Sequence, residues 1–156
     1  MLCVLLFVAG CTQPVKEAKF VTAQPRFSLL IASDASDFKD RIRERIIAHY
    51  RPYGNIAVIN IADLADSSAA DFDAVLVIDT CLGWSRFNPS IKTFLDQQPK
   101  PEKVVLLMTA DTKDWSFRYQ DVDAITAASA VENEMSLFLT LKSRLDQILL
   151  TKGGLP

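Results

Sequence analysis

Apolar runs alternate along the chain with segments in which apolar residues recur at helical spacing. Runs of continuous apolar character are typical of strands buried on both faces of a parallel sheet. Turn-forming or polar residues bound each of them. Five such runs are predicted to be strands, and they cover residues 27–32, 55–61, 74–79, 103–109 and, as a shorter run, 123–128.

The segment after the first predicted strand has the pattern of an amphipathic helix. Its apolar residues recur every four positions, and they are Phe38, Ile42, Ile46 and Tyr50. The charged residues Lys39, Arg41, Arg43 and Glu44 are predicted to lie on its polar face. Ser36 or Asp37 is a suitable N-cap. Pro52 and Gly54 are predicted to end the helix.

Two more helices follow the later strands. Pro89 opens one of them, because proline suits the first helical turn. Residues 132–150 form the last and longest, with Phe138, Leu141, Leu145 and Ile148 towards the core. Residues 63–73 are too short and polar for a long helix, so one or two turns are predicted there.

Strands that alternate with helices predict βαβ units, and therefore a parallel sheet. Right-handed crossovers place the helices on both faces of that sheet. The chain of 156 residues is long enough for one such domain, assigned to residues 27–150, with residues 151–156 as a C-terminal tail. The predicted fold class is α/β.

Composition and net charge argue against several classes of function. Hydrophobic residues make up 49% and charged residues 23% of the chain, and the formal net charge of −2 offers no basic surface for nucleic acid. One histidine and three cysteines without ligand spacing predict no metal site. His49 is predicted to be structural and Cys81 a small buried hydrophobe, so no catalytic residue is assigned.

The first eleven residues differ from the rest. The apolar run 2–8 is far shorter than the roughly 20 residues that span a bilayer as a helix. The stretch Val8-Ala9-Gly10-Cys11 resembles the lipobox of bacterial lipoproteins. That resemblance implies a signal peptide over residues 1–10, cleavage before Cys11, and a lipid on the Cys11 sulfur. No Lys or Arg precedes the apolar run, which indicates either a weak signal or a true start upstream. The alternative to a signal peptide is a buried N-terminal strand that ends in Gly-Cys.

Residues 11–26 are polar, contain Pro14 and Pro25, and follow no sustained period, which predicts a flexible tether between membrane and domain. Thr12 stands where inner-membrane lipoproteins of Gram-negative bacteria typically carry Asp. The resemblance therefore implies the periplasmic face of the outer membrane in such a host. In the lipidated mature chain Cys81 would be the one remaining thiol, which excludes an intramolecular disulfide.

The segment "DFDAVLVIDTCLGWSRFNPSIKTFLDQ", residues 71–97, resembles flavodoxin-like proteins. An Asp-rich turn enters its strand, an aromatic residue, Trp84, lies in the loop, and Pro89 starts a helix with the pair Phe94-Leu95. "KVVLLMTA" and "VDAITAAS" resemble the fourth and fifth strands of that family. The resemblance implies a three-layer sandwich, a five-stranded parallel sheet of order 2-1-3-4-5, and flavin mononucleotide (FMN) at the carboxyl ends of the strands.

The loop "SDASDF", residues 33–38, stands where that family holds the flavin phosphate. Ser33 and Ser36 are its only hydroxyl residues, while Asp34 and Asp37 add negative charge. Two like charges about 4 Å apart cost on the order of 4 kcal/mol at an effective dielectric near 20. The loop is therefore predicted to cap the following helix through Asp37 or Asp34 rather than bind phosphate.

Two main hypotheses about function stay open, beside a third in which the chain is a structural envelope protein whose domain only contacts neighbouring subunits. The preferred one is a lipid-anchored, non-redox binding or interaction module without a cofactor, which contacts a protein partner through loops 80–87 and 109–119. The alternative is an FMN-dependent reductase or electron carrier. In that case the resemblance implies a cofactor site formed by Ser33, Ser36, Thr80, Trp84 and Trp115. The aromatic residues of both loops could equally pack the loops onto the sheet.

Overall fold

One mixed sheet with helices on both faces forms the protein. The computed structural model describes residues 14–81, 88–98, 101–110, 118–119 and 122–150. Within these residues the strands are β1 (Ala18–Phe20), β2 (Ser28–Ser33), β3 (Asn55–Asn60), β4 (Ala74–Thr80), β5 (Val104–Ala110), β6 (Arg118–Tyr119) and β7 (Val122–Ala128). The α-helices are α1 (Asp37–Tyr50), α2 (Pro89–Asp96) and α3 (Glu134–Leu150). The predicted α/β class is confirmed.

The sheet of the described residues has the order β1-β3-β2-β4-β5-β7-β6. Strands β3, β2, β4, β5 and β7 are mutually parallel, whereas β1 and β6 pair antiparallel at the two edges. The prediction of five strands in an all-parallel sheet of order 2-1-3-4-5 is therefore wrong in strand count and in overall order. The two added strands are only three and two residues long, so they carry no apolar run that a sequence pattern could detect.

The central strands owe their apolar runs to burial on both faces. All seven residues of β5 are buried, and so are the first six of β4. One face packs against α1 and α3 through residues such as Leu29, Ile31 and Leu107. The opposite face, with Leu30 among its residues, packs against α2 and against the short 3₁₀ helices Ile61–Asp66 and Ala69–Asp71. The predicted one or two turns between β3 and β4 are these 3₁₀ segments.

Helix α1 follows the predicted spacing with one exception. Phe38, Ile42, Ile46 and Tyr50 are all buried in the core, as the four-residue period requires. The Ser36 side chain caps the helix by accepting a hydrogen bond from the backbone N–H of Lys39. Lys39 was predicted on the polar face, and this is wrong, because its side chain is only 4% exposed and turns inward at the first turn.

Gly54 ends the α1–β3 connection beneath an aromatic ring. A Cβ atom at this position would lie 2.2 Å from the Phe27 ring, so only glycine lets the ring pack here. Phe27 in turn meets the Tyr50 ring edge-on at 5.8 Å. The Tyr50 hydroxyl lies 2.8 Å from Asp146 Oδ1, which ties α1 to α3.

The segment before β2 packs against the sheet edge. Val15 is buried, and its backbone N–H donates to Asn60 Oδ1 at 2.6 Å. Further along, Ala18 pairs with Val58, and Phe20 lies beneath the Arg51 guanidinium. This packing differs from the flexible tether predicted for residues 11–26, because a few apolar residues suffice to add a strand to an open sheet edge. The predicted signal peptide, Cys11 and the tail 151–156 lie outside the described residues.

Candidate functional site

Polar side chains gather where three neighbouring parallel strands end. We call this side of the sheet the carboxyl edge. Asp34 directly follows β2, Asp79 and Thr80 end β4, and Thr109 lies near the end of β5. Strand β4 pairs with β2 on one side and β5 on the other, and Thr80 is directly opposite Thr109. Asp34, Asp79 and Thr109 are all more than nine-tenths buried.

A buried ion pair joins the first strand end to helix α1. Lys39 Nζ donates to Asp34 Oδ2 at 2.5 Å and to Thr80 Oγ1 at 2.6 Å. The two ionised side chains are 4% and 9% exposed, so little water screens their attraction. The Lys39 ammonium thus bridges the ends of β2 and β4 from the first turn of the helix.

The hydroxyl groups at the edge are also engaged within the protein. Thr80 Oγ1 lies 3.3 Å from Thr109 Oγ1, which is 3.3 Å from the Asp79 carbonyl oxygen. Ser33 Oγ donates to the Asp34 carbonyl oxygen at 2.6 Å. These contacts leave the described hydroxyls oriented towards the protein's own groups.

Asp79 has an unusual proton affinity. Burial and the negative charge of Asp34 raise its pKa from 3.8 to about 6. Hydrogen bonds from the Thr80 backbone and the Asn88 side chain, with the positive charge of Lys39, partly offset that rise. The carboxyl group therefore exchanges its proton close to physiological pH.

The cluster carries more negative than positive charge when Asp79 is ionised. Two carboxylates, Asp34 and Asp79, then face the single ammonium of Lys39. Asp34 Oδ1 is buried and accepts no hydrogen bond from the described residues. Such an edge is suited to a cationic or N–H donor group, and it repels an anion. Within the described part of the chain no three His, Cys, Asp or Glu side chains form a metal-ligand group.

The structure places two of the predicted cofactor residues, Ser33 and Thr80, at the carboxyl edge. Ser36, three residues after Ser33, is the N-cap of α1. Trp84 and Trp115, which the sequence predicts in loops, lie outside the described ranges, as does the predicted lipidation residue Cys11. Helix capping was predicted for Asp37 or Asp34 as well, but Asp34 binds the Lys39 side chain and Ser36 caps the helix.

Sequence reasoning missed Lys39, Asp79 and Thr109. A signal was present for the latter two, since each is a polar residue at the end of an apolar run, where parallel strands place side chains in one crevice. For Lys39 the helical period predicts an exposed side chain, because it places Lys39 on the polar face among other charged residues.

Cys81 and His49 take structural positions. Cys81 is half-buried, and burial followed by the charge of Asp79 raises its thiol pKa, so a reactive thiolate is not favoured. The His49 ring meets Tyr50 and Phe138 edge-on at 4.8 and 6.0 Å. Burial and the nearby Lys142 charge lower its pKa, against a smaller opposite effect of Asp146. Neither residue was given chemistry from the sequence.

Comparison with known proteins yields no assignment. No family model matches the chain, and no curated protein matches its sequence. Among the described residues, none of the helices has both the length and the apolar character that crossing a membrane requires.

Replacing Lys39 by Met should destabilise the protein strongly, because it leaves the buried Asp34 carboxylate without its partner. We expect a loss of about 3–5 kcal/mol in the free energy of unfolding by urea. The double variant Lys39→Met with Asp34→Asn should recover most of it. The matched control is Lys92→Met, whose lysine forms an exposed pair with Asp96 and should cost less than about 1 kcal/mol. Equal losses in Lys39→Met and Lys92→Met would contradict the role given to the buried pair.

Asp79 should make the protein less stable as pH rises. Because its folded pKa of about 6 exceeds the unfolded value of 3.8, the folded state binds more protons between these values, so the free energy of unfolding falls across that window. The full effect is about 3 kcal/mol at about 1.36 kcal/mol per pKa unit. Asp79→Asn cannot lose that proton. Its stability relative to wild type should therefore grow from pH 4 to pH 7 in urea titrations, and a constant difference would contradict this origin.

Proposed function

We propose that the chain is a lipid-anchored lipoprotein of the bacterial cell envelope whose flavodoxin-like domain is a non-redox binding or interaction module. The observation that carries the proposal is the buried Lys39–Asp34 pair at the end of β2. It occupies the junction between first parallel strand and first helix, where a flavodoxin-like protein would hold the flavin phosphate.

Three features of this junction weigh against phosphate binding. The Ser33 hydroxyl donates to the Asp34 carbonyl, and Ser36 Oγ already accepts the Lys39 N–H. The cation of Lys39 is paired with Asp34 and not directed at an external anion. A dianionic phosphate would also meet Asp34 and exposed Asp37, at about 4 kcal/mol for each charge pair 4 Å apart in an effective dielectric near 20.

The flavodoxin-like assignment draws support from the parallel part of the sheet. Its five strands run β3-β2-β4-β5-β7, so the chain moves outward in opposite directions from β2. Crevices at such a reversal, outside the carboxyl ends of the strands, are where α/β proteins bind ligands. The net negative cluster at this edge favours a partner that presents a cationic or N–H donor group.

The membrane anchor rests on the sequence. The lipobox-like Val8-Ala9-Gly10-Cys11 supports lipidation of Cys11, and Thr12 supports the outer membrane in a Gram-negative host. The alternative function, an FMN-dependent reductase or electron carrier, draws on the aromatic loop residues Trp84 and Trp115. The closed junction at Asp34 favours the binding module over that alternative.

An FMN titration separates the two functions. The purified protein should be colourless, and adding it to FMN should leave the flavin fluorescence unchanged at micromolar concentrations, because the Lys39 ammonium is already paired with Asp34 and the carboxylates of Asp34 and Asp37 repel the phosphate. Trp84→Ala serves as the matched variant and should behave like wild type. Saturable quenching that is weakened in Trp84→Ala would overturn the assignment of a module without a cofactor and favour the FMN-dependent alternative.

The mass of the protein extracted from membranes tests whether Cys11 is lipidated and residues 1–10 are removed. The wild-type chain should lose residues 1–10 and gain the mass of a diacylglycerol-modified Cys11. The Cys11→Ala variant should keep the uncleaved precursor mass and incorporate no labelled fatty acid, while Cys81→Ala should be processed like wild type. An unchanged wild-type mass would refute lipidation without bearing on the FMN result.

A further inference from the structure

The first described residues of the chain lie at the same edge of the sheet that carries the candidate site. Strand β1 runs antiparallel to β3, with Ala18 opposite Val58 and Phe20 opposite Ile56. Towards the N-terminus the chain therefore advances along β3 to its carboxyl end. There the Val15 N–H donates to the Oδ1 atom of Asn60, the last residue of β3, so buried Val15 lies at the carboxyl end of that strand.

Only a short stretch of chain separates that point from Cys11. Four residue steps lead from Cys11 to Val15, and a fully extended chain covers about 14 Å over that distance at 3.3–3.6 Å per residue. Strands of six or seven residues, such as β3 and β4, make the sheet about 20–23 Å tall at roughly 3.3 Å per residue. The tether is thus shorter than the distance from the carboxyl edge to the amino edge.

We propose that the lipid on Cys11 holds the carboxyl edge against the membrane surface, with the Asp34–Lys39–Asp79 cluster on the side of the domain that faces the bilayer. The inference rests on the lipidation proposed above. The amino edge, where the strands begin, then points away from the membrane. The group that the cluster recognises must approach along the membrane surface, as a membrane-bound partner does.

Site-specific photo-crosslinking to lipid tests this orientation. The photoreactive amino acid p-benzoylphenylalanine replaces Ala62, beside the end of β3, or Ala70, before the start of β4, in the full chain expressed in cells. Both alanines are exposed and lie in neighbouring 3₁₀ segments. The Ala62 O···Ser90 Oγ hydrogen bond places Ala62 near the N-terminus of α2, at the carboxyl edge. The Ala69 N–H donates to the Gln98 side chain, on the amino side.

After irradiation of membranes that contain radiolabelled phospholipid, the Ala62 variant should carry several-fold more label than the Ala70 variant. Exposed Asp63 and Asp71 form a second matched pair and should repeat the difference. A ten-residue Gly-Ser insertion after Gln13 lengthens the tether beyond the height of the sheet, so it should abolish the difference while leaving Cys11 lipidated.

Mass analysis of the same samples separates the two possible failures. Lipidated protein with equal label at both edges would overturn the orientation alone and leave the proposed anchor in place. Protein that retains its precursor mass would overturn the anchor, and the orientation with it. Lipidated protein labelled preferentially at the amino edge would also reject the inference.

Discussion

The buried pair between Lys39 and Asp34 is the interaction on which the candidate site depends. An ammonium and a carboxylate taken out of water are stable only while each satisfies the other, and removing one partner leaves a costly buried charge. Lys39 also reaches Thr80, so the pair joins the first turn of α1 to the ends of two strands. The positive charge at the junction between β2 and α1 is thus already paired with a carboxylate of the protein itself.

The Lys39–Asp34 pair also affects the ends of the neighbouring strands. Asp34, fixed in its ionised contact with Lys39, lies close enough to Asp79 to raise the pKa of that second carboxyl. Thr80 and Thr109 connect the same network to β5. One network of charges and hydrogen bonds therefore joins three strand ends, and a group that binds there meets carboxylates and hydroxyls that already contact the protein's own groups.

The sequence predicts the central parallel strands well and the short strands at the edges of the sheet poorly. Runs such as those of β4 and β5 are apolar because both faces are buried, and that cause leaves a direct trace in the sequence. Strand β1 has no such apolar run, because a strand at the sheet edge needs only a few residues that pair with the neighbouring strand. Lys39 could not be placed from its helical position, since the attraction that draws it inward comes from Asp34 and Thr80, on other elements. The resemblance to flavodoxin-like proteins named Ser33 and Thr80, and the structure places both at the carboxyl edge, where the ends of parallel strands meet.

A crystal structure of the protein purified from cells without added ligand would show whether the Lys39–Asp34 pair fills the junction between β2 and α1. We expect Lys39 Nζ within hydrogen-bond distance of Asp34 and Thr80, with no nucleotide at that junction. A flavin phosphate bound at that junction, with the Lys39 side chain turned away from Asp34, would contradict it.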